Sequence, residues 1–417
     1  MAQGKLGVTS KSSRVLIAGG GPVGLVAAYA LIKEGIPVTV FDENSELQED
    51  PRAATTHPAT LELLAKLGIV EDVTDQGLIC PTFQFWDRPT GEMVAEFDHS
   101  LLSGDTEFPY VVQCEQYKIA RILAELIDQT DDAEILFSHR VKSVSPADGS
   151  VSITVDAPDG EHTFVGAYLI GADGGRSTVR KQMEIPFEGF TWPERFLVLS
   201  TPFDFEANCG MSYRNYIADP NEWCNCFKVA GDGPPGLWRT VYPEDPEASE
   251  EELLADDYVE QKLQAFFPAG KSYDIVHRNL YTVHQRVAGT FRMGRVLIAG
   301  DAAHVNNSIG GMGLNGGIQD AMNLADKLVK VWKGEASSDL LNIYDKERRT
   351  FAVDFVQEQS IQNKKRLEAK NPESRTAFLK NLRETADDPS RARKFMLKSS
   401  MIEAMRAIGA EPTHNAA

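Results

Sequence analysis

Residues 15–42 read VLIAGGGPVGLVAAYALIKEGIPVTVFD, and this stretch decides the fold. Its first four residues are apolar, as in a buried strand, and a G-x-G-x-x-G turn follows at once. The apolar run from Val23 to Ile32 contains small alanines, which predicts a helix packed closely on a sheet. Val38–Phe41 predicts a second strand. A strand, a glycine turn, a helix and a second strand in this order are typical of a Rossmann unit.

This turn predicts a binding site for the pyrophosphate of a dinucleotide. The helix start offers unpaired N–H groups and partial positive charge to a phosphate. The first glycine permits the tight turn, the second lets the phosphate approach the backbone, and the third lets the helix meet the strand. An acid at the end of the second strand accepts ribose hydroxyls and disfavours a 2′-phosphate. The predicted contacts are Gly19, Gly21, Pro22, Val23, Gly24, Asp42 and Glu43.

A second match to the glycine pattern serves as a control. Gly231-x-Gly233-x-x-Gly236 contains Pro234 and Pro235, and a strand-like segment, residues 237–242, follows it. Prolines remove backbone donors, and no helix start is present to hold a phosphate. We therefore predict a loop here and a single dinucleotide unit in the chain.

Composition restricts the class of protein. The 417 residues suggest two domains, and 61 acidic against 42 basic residues give a net charge of −19. This acidity argues against nucleic acid or an anionic membrane as partner. The first dozen residues lack the apolar core of an export signal, so a cytoplasmic protein is expected. Five cysteines without zinc spacing are expected to be reduced thiols, with a redox or metal role as the alternative.

Two later glycine-rich motifs complete a recognisable set. The first is Gly171-Ala172-Asp173-Gly174-Gly175-Arg176, and the other is Gly300-Asp301-Ala302-Ala303-His304. With these three motifs in this order, the chain resembles the single-component (class A) FAD-dependent aromatic hydroxylases, the family typified by para-hydroxybenzoate hydroxylase. The resemblance covers about residues 12–345.

The resemblance implies one non-covalent FAD and a set of contacts to it. The middle motif serves FAD and the nicotinamide nucleotide, and the late motif places Asp301 on the ribityl chain. Arg52 and Gln113 are implied as further contacts, with a surface charge and a helix cap as their alternatives. A loop over residues 310–317 and a helix from about Ile318 are expected to approach the flavin ring. The implied FAD contacts beyond the first motif are Arg52, Gln113, Asp173, Gly300, Asp301, Gly311, Gly313, Leu314 and Asn315.

The sequence departs from the family at one point. Asn307 and Ser308 stand where the family usually has two prolines. Proline restricts the backbone, so this departure puts the rigidity of the loop beside the flavin in doubt. We expect the segment to be flexible and to take part in gating.

The element pattern predicts an α/β fold in which a Rossmann-type FAD/NAD(P)-binding domain is interleaved with a smaller antiparallel-sheet substrate domain, followed by C-terminal helices. We assign residues 12–79, 113–182 and 286–345 to the FAD-binding domain. Residues 80–112 and 183–285 form the substrate-binding domain, and residues 346–417 form the C-terminal helical segment. Helices are predicted at Pro58–Leu67, Gln116–Ile127 and Ser249–Phe266, and one strand at Thr163–Leu169.

The resemblance implies a monooxygenase that uses NADH or NADPH and O₂ to hydroxylate a phenolic or heteroaromatic substrate through a flavin C4a-hydroperoxide. The substrate is expected between the sheet of residues 183–285 and the flavin, and a homodimer is the assembly considered. An epoxidase or N-hydroxylase on the same scaffold, and a flavoprotein sensor without turnover, stay as alternatives. Aromatic residues on strands are more often core than site, which is the alternative for these candidates. The candidate substrate-site residues are Tyr213, Arg214, Tyr216, Trp238, Arg239 and Tyr242.

Overall fold

The computed structural model describes residues 13–49, 52–368 and 371–409. Residues 1–12, where we expect no export signal, and residues 410–417 of the predicted C-terminal segment lie outside this range. The strands are β1 Val15–Ala18, β2 Val38–Phe41, β3 Thr55–Thr56, β4 Leu78–Cys80, β5 Thr82–Asp87, β6 Glu92–Asp98, β7 Val111–Gln113, β8 Ala133–Leu136, β9 Arg140–Ala147, β10 Ser150–Ala157, β11 Gly160–Gly166, β12 Tyr168–Gly171, β13 Phe187–Thr201, β14 Arg214–Ala218, β15 Cys224–Val229, β16 Leu237–Glu244, β17 His277–Ala288, β18 Arg292–Met293, β19 Val296–Ile298 and β20 His304–Val305.

Helices separate and cover these strands. Two short 3₁₀ helices lie at His99–Leu102 and Gly300–Ala302, and a π-helix at Phe351–Gln357 joins two α-helices. The α-helices are α1 Pro22–Ile32, α2 Pro58–Leu67, α3 Val70–Asp75, α4 Gln116–Asp128, α5 Thr178–Gln182, α6 Phe205–Cys209, α7 Glu250–Leu253, α8 Asp256–Phe266, α9 Met312–Trp332, α10 Leu340–Thr350, α11 Glu358–Leu367, α12 Pro372–Ala386, α13 Pro389–Ser399 and α14 Ile402–Gly409.

A six-stranded sheet forms the predicted dinucleotide fold. Its strand order is β18-β19-β12-β1-β2-β8, with β1 paired in parallel to both β2 and β12. The four residues of β1 are buried, as expected for a parallel strand covered on both faces. The predicted first strand, helix and second strand are confirmed. Since β12 and β19 come from residues far along the chain, this sheet is assembled from three separated segments.

An eight-stranded sheet, in the order β20-β17-β13-β16-β15-β14-β5-β6, makes the second layer. It is antiparallel except where β14 pairs in parallel with β5. One face carries an apolar cluster with α6 and α8, and the other packs against the π-helix and α11–α14. The two faces of each strand therefore have different neighbours, so the face on which a substrate-site candidate lies determines its surroundings.

Two predicted elements are each divided in the structure. The strand predicted at Thr163–Leu169 is β11 and β12, because the chain leaves a three-stranded antiparallel sheet at Gly166 and enters the parallel sheet. A Cβ on Gly166 would lie 2.7 Å from Cγ of Leu16, so the crossing is close. The helix predicted at Ser249–Phe266 is α7 and α8, since Ala255 adopts extended backbone and Asp256 begins a new helix.

Other predictions from the sequence are confirmed. Helix α2 has the predicted bounds, and α4 extends the predicted helix by one residue to Asp128. The control segment 231–236 is a loop, and its backbone is held by Glu115 Oε1 at 2.8 Å and Lys118 Nζ at 2.6 Å. The cysteines are free thiols. Over the described residues, we find no helix with the length and apolarity that crossing a bilayer requires.

Candidate active site

The glycines of the first motif occupy positions that other residues would obstruct. Gly19 has φ +105°, and a Cβ there would lie 2.3 Å from the carbonyl oxygen of Ala172. A Cβ on Gly24 would lie 2.0 Å from the carbonyl oxygen of Gly19. A Cβ on Gly21, by contrast, would meet no protein atom within 4 Å and would occupy the open space above the turn. The turn therefore leaves its backbone accessible where a phosphate would approach.

Asp42 lies at the end of β2, beside this turn. Its Oδ2 accepts from Gly20 N at 2.7 Å, and its Oδ1 accepts from the backbone and side-chain nitrogens of Asn44 at 2.9 and 2.8 Å. A carboxylate oxygen offers two lone pairs, so Oδ2 keeps one free, whereas the two bonds from Asn44 occupy both lone pairs of Oδ1. The neighbouring Glu43 is exposed. Asp42 thus shapes the glycine turn and can also accept a ribose hydroxyl.

A large cavity opens above the turn, with a volume of about 540 Å³. Both the size and the glycine-lined floor suit the adenosine diphosphate half of FAD, and the free space at Gly21 fits its pyrophosphate. Sequence reasoning missed the residues that α4 and β9 contribute, because no motif marks them. The predicted contacts that line the cavity are Gly19, Gly21, Pro22, Asp42, Glu43, Arg52 and Asp173, and the missed ones include Gln116, Tyr117, His139 and Arg140. Arg176, which belongs to the middle motif but was not predicted as a contact, lines the cavity as well.

Asp173 of the middle motif stabilises the start of α5. Its Oδ1 accepts from Ser177 Oγ at 2.5 Å, and its Oδ2 accepts from the backbone N–H groups of Thr178 and Val179 at 2.7 and 3.0 Å. These bonds satisfy donors at the start of α5. Asp173 therefore holds the motif in shape while one edge of its side chain faces the cavity.

Asp301 of the late motif is exposed to solvent, although many protein atoms surround its carboxyl group. Burial raises the pKa of its carboxyl above the ordinary value, and the charges of His304 and Arg52 partly offset this effect. The residue follows β19, as expected for a group that accepts hydrogen bonds from the ribityl chain. Its position beside Arg52 brings two predicted FAD contacts, which lie far apart in the sequence, into one region.

The backbone around Asp301 is fixed by a buried charged network centred on Asp320 of α9. Oδ2 of Asp320 accepts from Gly300 N at 3.0 Å and lies 2.8 Å from His304 Nε2, while Oδ1 accepts from Arg348 Nε at 2.6 Å. Burial raises the pKa of Asp320, but His304 and Arg348 outweigh it and hold the pKa below its usual range. His304 is thus a structural residue.

The segment 306–317 differs from the expectation. Helix α9 begins at Met312 rather than near Ile318, so the loop predicted over 310–317 is confined to its first residues. Glycines inside the helix are needed for close packing: a Cβ on Gly317 would lie 2.6 Å from Cγ2 of Val23. Within the helix, Leu314 packs in the core, and Gly313 has only Asn306 Oδ1 at 3.6 Å from its Cβ position.

Asn307, expected to be flexible, is buried and bonded. Its side chain accepts from Ile309 N at 2.8 Å and donates to Ser360 O at 3.2 Å. Asn315 is buried as well: its Oδ1 accepts from His57 N at 2.8 Å, and its Nδ2 donates to Thr55 O at 2.8 Å. Side-chain amides therefore hold this loop, at a place where the family usually has two prolines and where we expected flexibility.

Gln113 and Arg52 are the remaining predicted FAD contacts outside the glycine motifs. Gln113 is buried in β7, where its Oε1 accepts from Thr55 Oγ1 at 2.9 Å and its Nε2 has no hydrogen-bond partner among the described residues. A buried donor without a partner is costly, and a flavin carbonyl would satisfy it. The backbone oxygen of Arg52 accepts from Arg239 Nη1 at 2.8 Å.

A second, apolar cavity lies between the eight-stranded sheet and the C-terminal helices. Of the six substrate-site candidates, Arg214 and Tyr216 line it. The alternating pattern Phe83-Gln84-Phe85 could have indicated the aromatic face of β5, but no pattern indicated the helical contributions. The other lining residues are Phe83, Phe85, Ile309, Gly310, Met312, Gln359, Asn363, Leu367, Phe378, Leu382, Phe395 and Ser399.

The remaining candidates lie elsewhere. Trp238 and Tyr242 point to the opposite face of the sheet, into the apolar cluster with α6 and α8, and Tyr213 packs beside them. The reason is the strand period of two, which sends neighbouring side chains to opposite faces. Arg239 is buried beside Arg52, near the FAD contacts rather than in the apolar cavity.

Arg214 dominates the electrostatics of the apolar cavity. Only 6 % of the residue is exposed, and its Nη2 donates to Tyr216 Oη at 2.5 Å and to Gly310 O at 3.3 Å. Its guanidinium lies 5.2 Å from the ring centre of Phe83. Across the described ranges, no carboxylate forms an ion pair with it. The cavity therefore contains a buried cation whose balancing anion is not supplied by these residues.

Nearby titratable groups respond to this charge. Burial, with a further contribution from Arg214, lowers the pKa of His57 well below its usual value. Burial also lowers the pKa of His99 to about 4. Burial raises the pKa of the Cys80 thiol to about 12, and Arg214 partly opposes this shift. Both histidines are therefore neutral near pH 7, and neither adds a second cation to the cavity.

Comparison with known proteins agrees with this geometry. The family described as FAD binding domain matches residues 12–359. A para-nitrophenol 4-monooxygenase of a Pseudomonas species is 34% identical over 397 residues, which are 94% of this chain and 97% of that protein. A 6-hydroxy-3-succinoylpyridine 3-monooxygenase of Pseudomonas putida is 33% identical over 386 residues, which are 92% of this chain and 96% of that protein.

A solved structure shows the same architecture. The crystal structure of p-nitrophenol 4-monooxygenase from Pseudomonas putida superposes with a TM-score of 0.88 at 31% sequence identity, covering 94% of this chain and 98% of that one. The glycine turn, the cavity above it and the accessible Asp301 fit the cofactor that this family binds. The chain belongs to the FAD-binding-domain family and is a class A FAD-dependent aromatic hydroxylase.

Proposed function

We propose that this enzyme hydroxylates a compact phenol, bound as its anion in the apolar cavity, with NADH or NADPH and O₂ as co-substrates. The observation that carries this proposal is the buried Arg214, which has no carboxylate partner among the described residues. An unpaired buried charge is costly, so an anionic ligand is the natural complement. The names of the relatives, which act on para-nitrophenol and on a hydroxypyridine derivative, support an acidic hydroxyaromatic substrate.

The residues of the cavity have distinct parts in this proposal. The Arg214 guanidinium binds the phenolate oxygen or another anionic substituent and lowers the pKa of a bound phenol, which keeps the ring ionised and electron-rich. Phe83, Phe85 and Tyr216 hold the ring between aromatic faces and exclude water. Tyr216 Oη accepts from Arg214 and fixes the direction of the guanidinium. FAD, when bound, supplies the transfer of electrons to O₂ and the activation of the oxygen.

The cofactor would be held by the first motif, Asp42 and Arg52, which line the cavity above the glycine turn, and by Asp301 beside Arg52. The nicotinamide nucleotide then binds transiently, because the sequence contains one Rossmann glycine turn and the other match is a loop. We also propose that the enzyme works in the cytoplasm, which the five free thiols support. A homodimer remains the proposed assembly.

The proposal is tested with purified protein and a panel of monocyclic phenols and hydroxypyridines. We expect a yellow protein with one non-covalent FAD per chain, and NAD(P)H and O₂ consumption coupled to product formation. Replacing Arg214 by Met should lower kcat/KM for an acidic phenol about 10- to 100-fold, the value of a charge-assisted hydrogen bond. Arg214→Lys should retain part of the activity.

The matched control is Tyr213→Phe, since Tyr213 lies on the opposite face of the same sheet. This variant should behave like the wild type. Product formation that is equally efficient in Arg214→Met and wild type would contradict the assigned role of Arg214. A protein that binds FAD but converts none of the panel would contradict the proposed substrate class.

A further inference from the structure

The apolar cavity is formed by two parts of the chain that are far apart in sequence. The sheet contributes Phe83, Phe85, Arg214 and Tyr216. The opposite side is formed by Leu367, Phe378, Leu382, Phe395 and Ser399, which we call the C-terminal wall. The family match ends at residue 359, before the wall begins. The wall is therefore the part of the cavity that the shared FAD-binding region does not determine.

The two phenylalanines of the wall meet the aromatic residues of the sheet directly. The ring of Phe395 stacks on Phe97 with centroids 4.6 Å apart and lies 6.3 Å from Phe83. The ring of Phe378 packs edge-on against Phe85 at 6.5 Å. These contacts leave an aromatic enclosure between wall and sheet, with the Arg214 guanidinium as its charged group.

Ion pairs fix the wall to the edge of the sheet. Asp105 accepts from Arg393 Nη2 at 2.7 Å and from Arg406 Nη1 at 3.1 Å. Arg383 pairs with Glu92 at 2.7 Å, and Arg375 pairs with Asp87. Each exposed pair contributes little by itself, roughly 0–1 kcal/mol. Because the pairs are distributed over α12, α13 and α14, they hold the wall at a defined distance from the sheet.

The enclosed space is small. The centres of water molecules can occupy about 40 Å³ of it. That is room for about three or four waters, or roughly 100 Å³ of liquid volume. This is the scale of one aromatic ring with small substituents, and Phe378 and Phe395 are the bulkiest side chains of the C-terminal wall.

We propose that the C-terminal wall determines substrate specificity, with Phe378 and Phe395 restricting the enzyme to single-ring phenols. This inference rests on the proposed function, since it concerns the substrate of the same cavity. Leu382 and Leu367 complete the apolar surface, whereas Arg214 on the sheet recognises the anionic group whatever the size of the ring. Ring size and charge are thus recognised by different segments of the chain.

The test compares Phe378→Leu, Phe395→Leu and Phe378→Ala with the wild-type holoenzyme. Each enzyme is assayed with 4-nitrophenol and with 1-naphthol, a two-ring phenol, and the binding of both is also measured as the shift in Tm. The smaller side chains should raise the ratio of kcat/KM for 1-naphthol over 4-nitrophenol about 10-fold or more, the discrimination typical of a change in pocket size. The Tm shift with 1-naphthol should increase in parallel.

The control variant is Phe355→Leu, because Phe355 lies in the π-helix and does not line the cavity. Its selectivity should match the wild type. If the Leu variants retain FAD but show the wild-type kcat/KM ratio and the wild-type Tm shifts, the inference about the C-terminal wall is overturned. The proposed function is tested separately, by the turnover of 4-nitrophenol in the wild type. Should Phe378→Ala fail to fold, the two Leu variants decide the outcome.

Discussion

Two buried arginines differ in what balances their charge. Arg348 donates to Asp320 Oδ1 at 2.6 Å and to Gly316 O at 3.1 Å, so its guanidinium has both a carboxylate and a carbonyl partner. Arg214 has a phenol and a carbonyl but no described carboxylate. A buried charge that is paired mainly serves structure, whereas one without a counter-charge indicates a ligand. This contrast separates Arg348, which supports the cofactor motif, from Arg214, which we propose binds the substrate.

The carboxylate of Asp301 is predicted to contribute to FAD affinity. Replacing it by Ala should weaken FAD binding about 10- to 100-fold, since one hydrogen bond to a charged acceptor contributes about 1–3 kcal/mol. FAD affinity is measured by titrating apoprotein and following flavin fluorescence. The control is Asp326→Ala, an exposed acid of α9. Equal FAD affinity in Asp301→Ala and wild type would show that this carboxylate does not bind the cofactor.

His99 gives a prediction about acid stability. The pKa of its imidazole is about 4 in the folded protein, because burial disfavours the charged form, and about 6.5 in an unfolded chain. Unfolding therefore takes up a proton between these values, and the free energy of unfolding falls by about 1.4 kcal/mol per pH unit as the pH drops from about 6.5 to 4. The free energy of unfolding of the His99→Gln variant should therefore fall less steeply than that of the wild type as the pH drops over this range.

Urea unfolding at several pH values measures this slope. Ser100→Ala, an exposed neighbour in the same 3₁₀ helix without an ionisable side chain, serves as the control and should retain the wild-type slope. If His99→Gln and wild type lost stability in parallel below pH 6.5, His99 would not be a source of the acid sensitivity.

Helix α9 begins with glycines that the sequence places in a loop. Sequence reasoning treated Gly313, Gly316 and Gly317 as a loop that lets the backbone approach the flavin ring closely. In the structure the helix continues through them, although glycine in a helix interior costs about 0.5–1 kcal/mol relative to alanine. At Gly317, α1, the 3₁₀ helix at Gly300–Ala302 and α9 cross so closely that a side chain is excluded. Tertiary packing outweighs the local preference here.

Gly317→Ala should therefore destabilise the protein although alanine favours helix. Its Cβ would lie 2.6 Å from Val23 Cγ2 and 3.2 Å from Gly300 Cα, and such overpacking costs roughly 1–3 kcal/mol. Gly313→Ala, whose Cβ would meet only Asn306 Oδ1 at 3.6 Å, should be neutral or slightly stabilising. Thermal unfolding compares the two. A Gly317→Ala protein as stable as Gly313→Ala would refute this account of the crossing.

The sequence predicted the cofactor elements well and the substrate cavity poorly, for a physical reason. Gly19 and Gly24 lie in a short local motif whose geometry is dictated by steric limits on neighbouring backbone. Arg214 and Tyr216 were identified by residue type, but Trp238 and Tyr242 were included with them because residue type does not tell which face of a strand is buried. Phe378 and Phe395 reach the cavity only through the tertiary placement of α12 and α13, which no local pattern encodes.

In the molecule as a whole, the apolar cavity and the loop that precedes α9, residues 306–311, are connected. Arg214 Nη2 donates to Gly310 O, and Asn307 in the same loop is bonded to Ser360 of α11. A substrate anion that draws the guanidinium away would alter the hydrogen bonding of the loop next to the predicted flavin position. Occupancy of the cavity can thereby affect the cofactor without any large domain movement.

We therefore expect substrate to control electron supply. NAD(P)H oxidation should be slow alone and at least about 10-fold faster with the true substrate, a barrier change of about 1.4 kcal/mol. Stopped-flow absorbance of the flavin, with and without substrate, measures this directly. The Arg214→Met enzyme should lose most of the acceleration. Equal rates with and without substrate in the wild type would exclude gating and leave the fold assignment unaffected.

The separation of the parallel sheet into three segments has a consequence for how the protein is made. Strand β1 is synthesised long before its neighbours in the sheet. Its partner β12 pairs on its other side with β19, Val296–Ile298, and the late motif that contains Asp301 follows β19 in the chain. Until then the nascent chain carries exposed apolar strands with unpaired edges, which tend to associate with other chains. We therefore expect the sheet to be completed, and FAD to be captured, only after the segment that contains Asp301 has been synthesised.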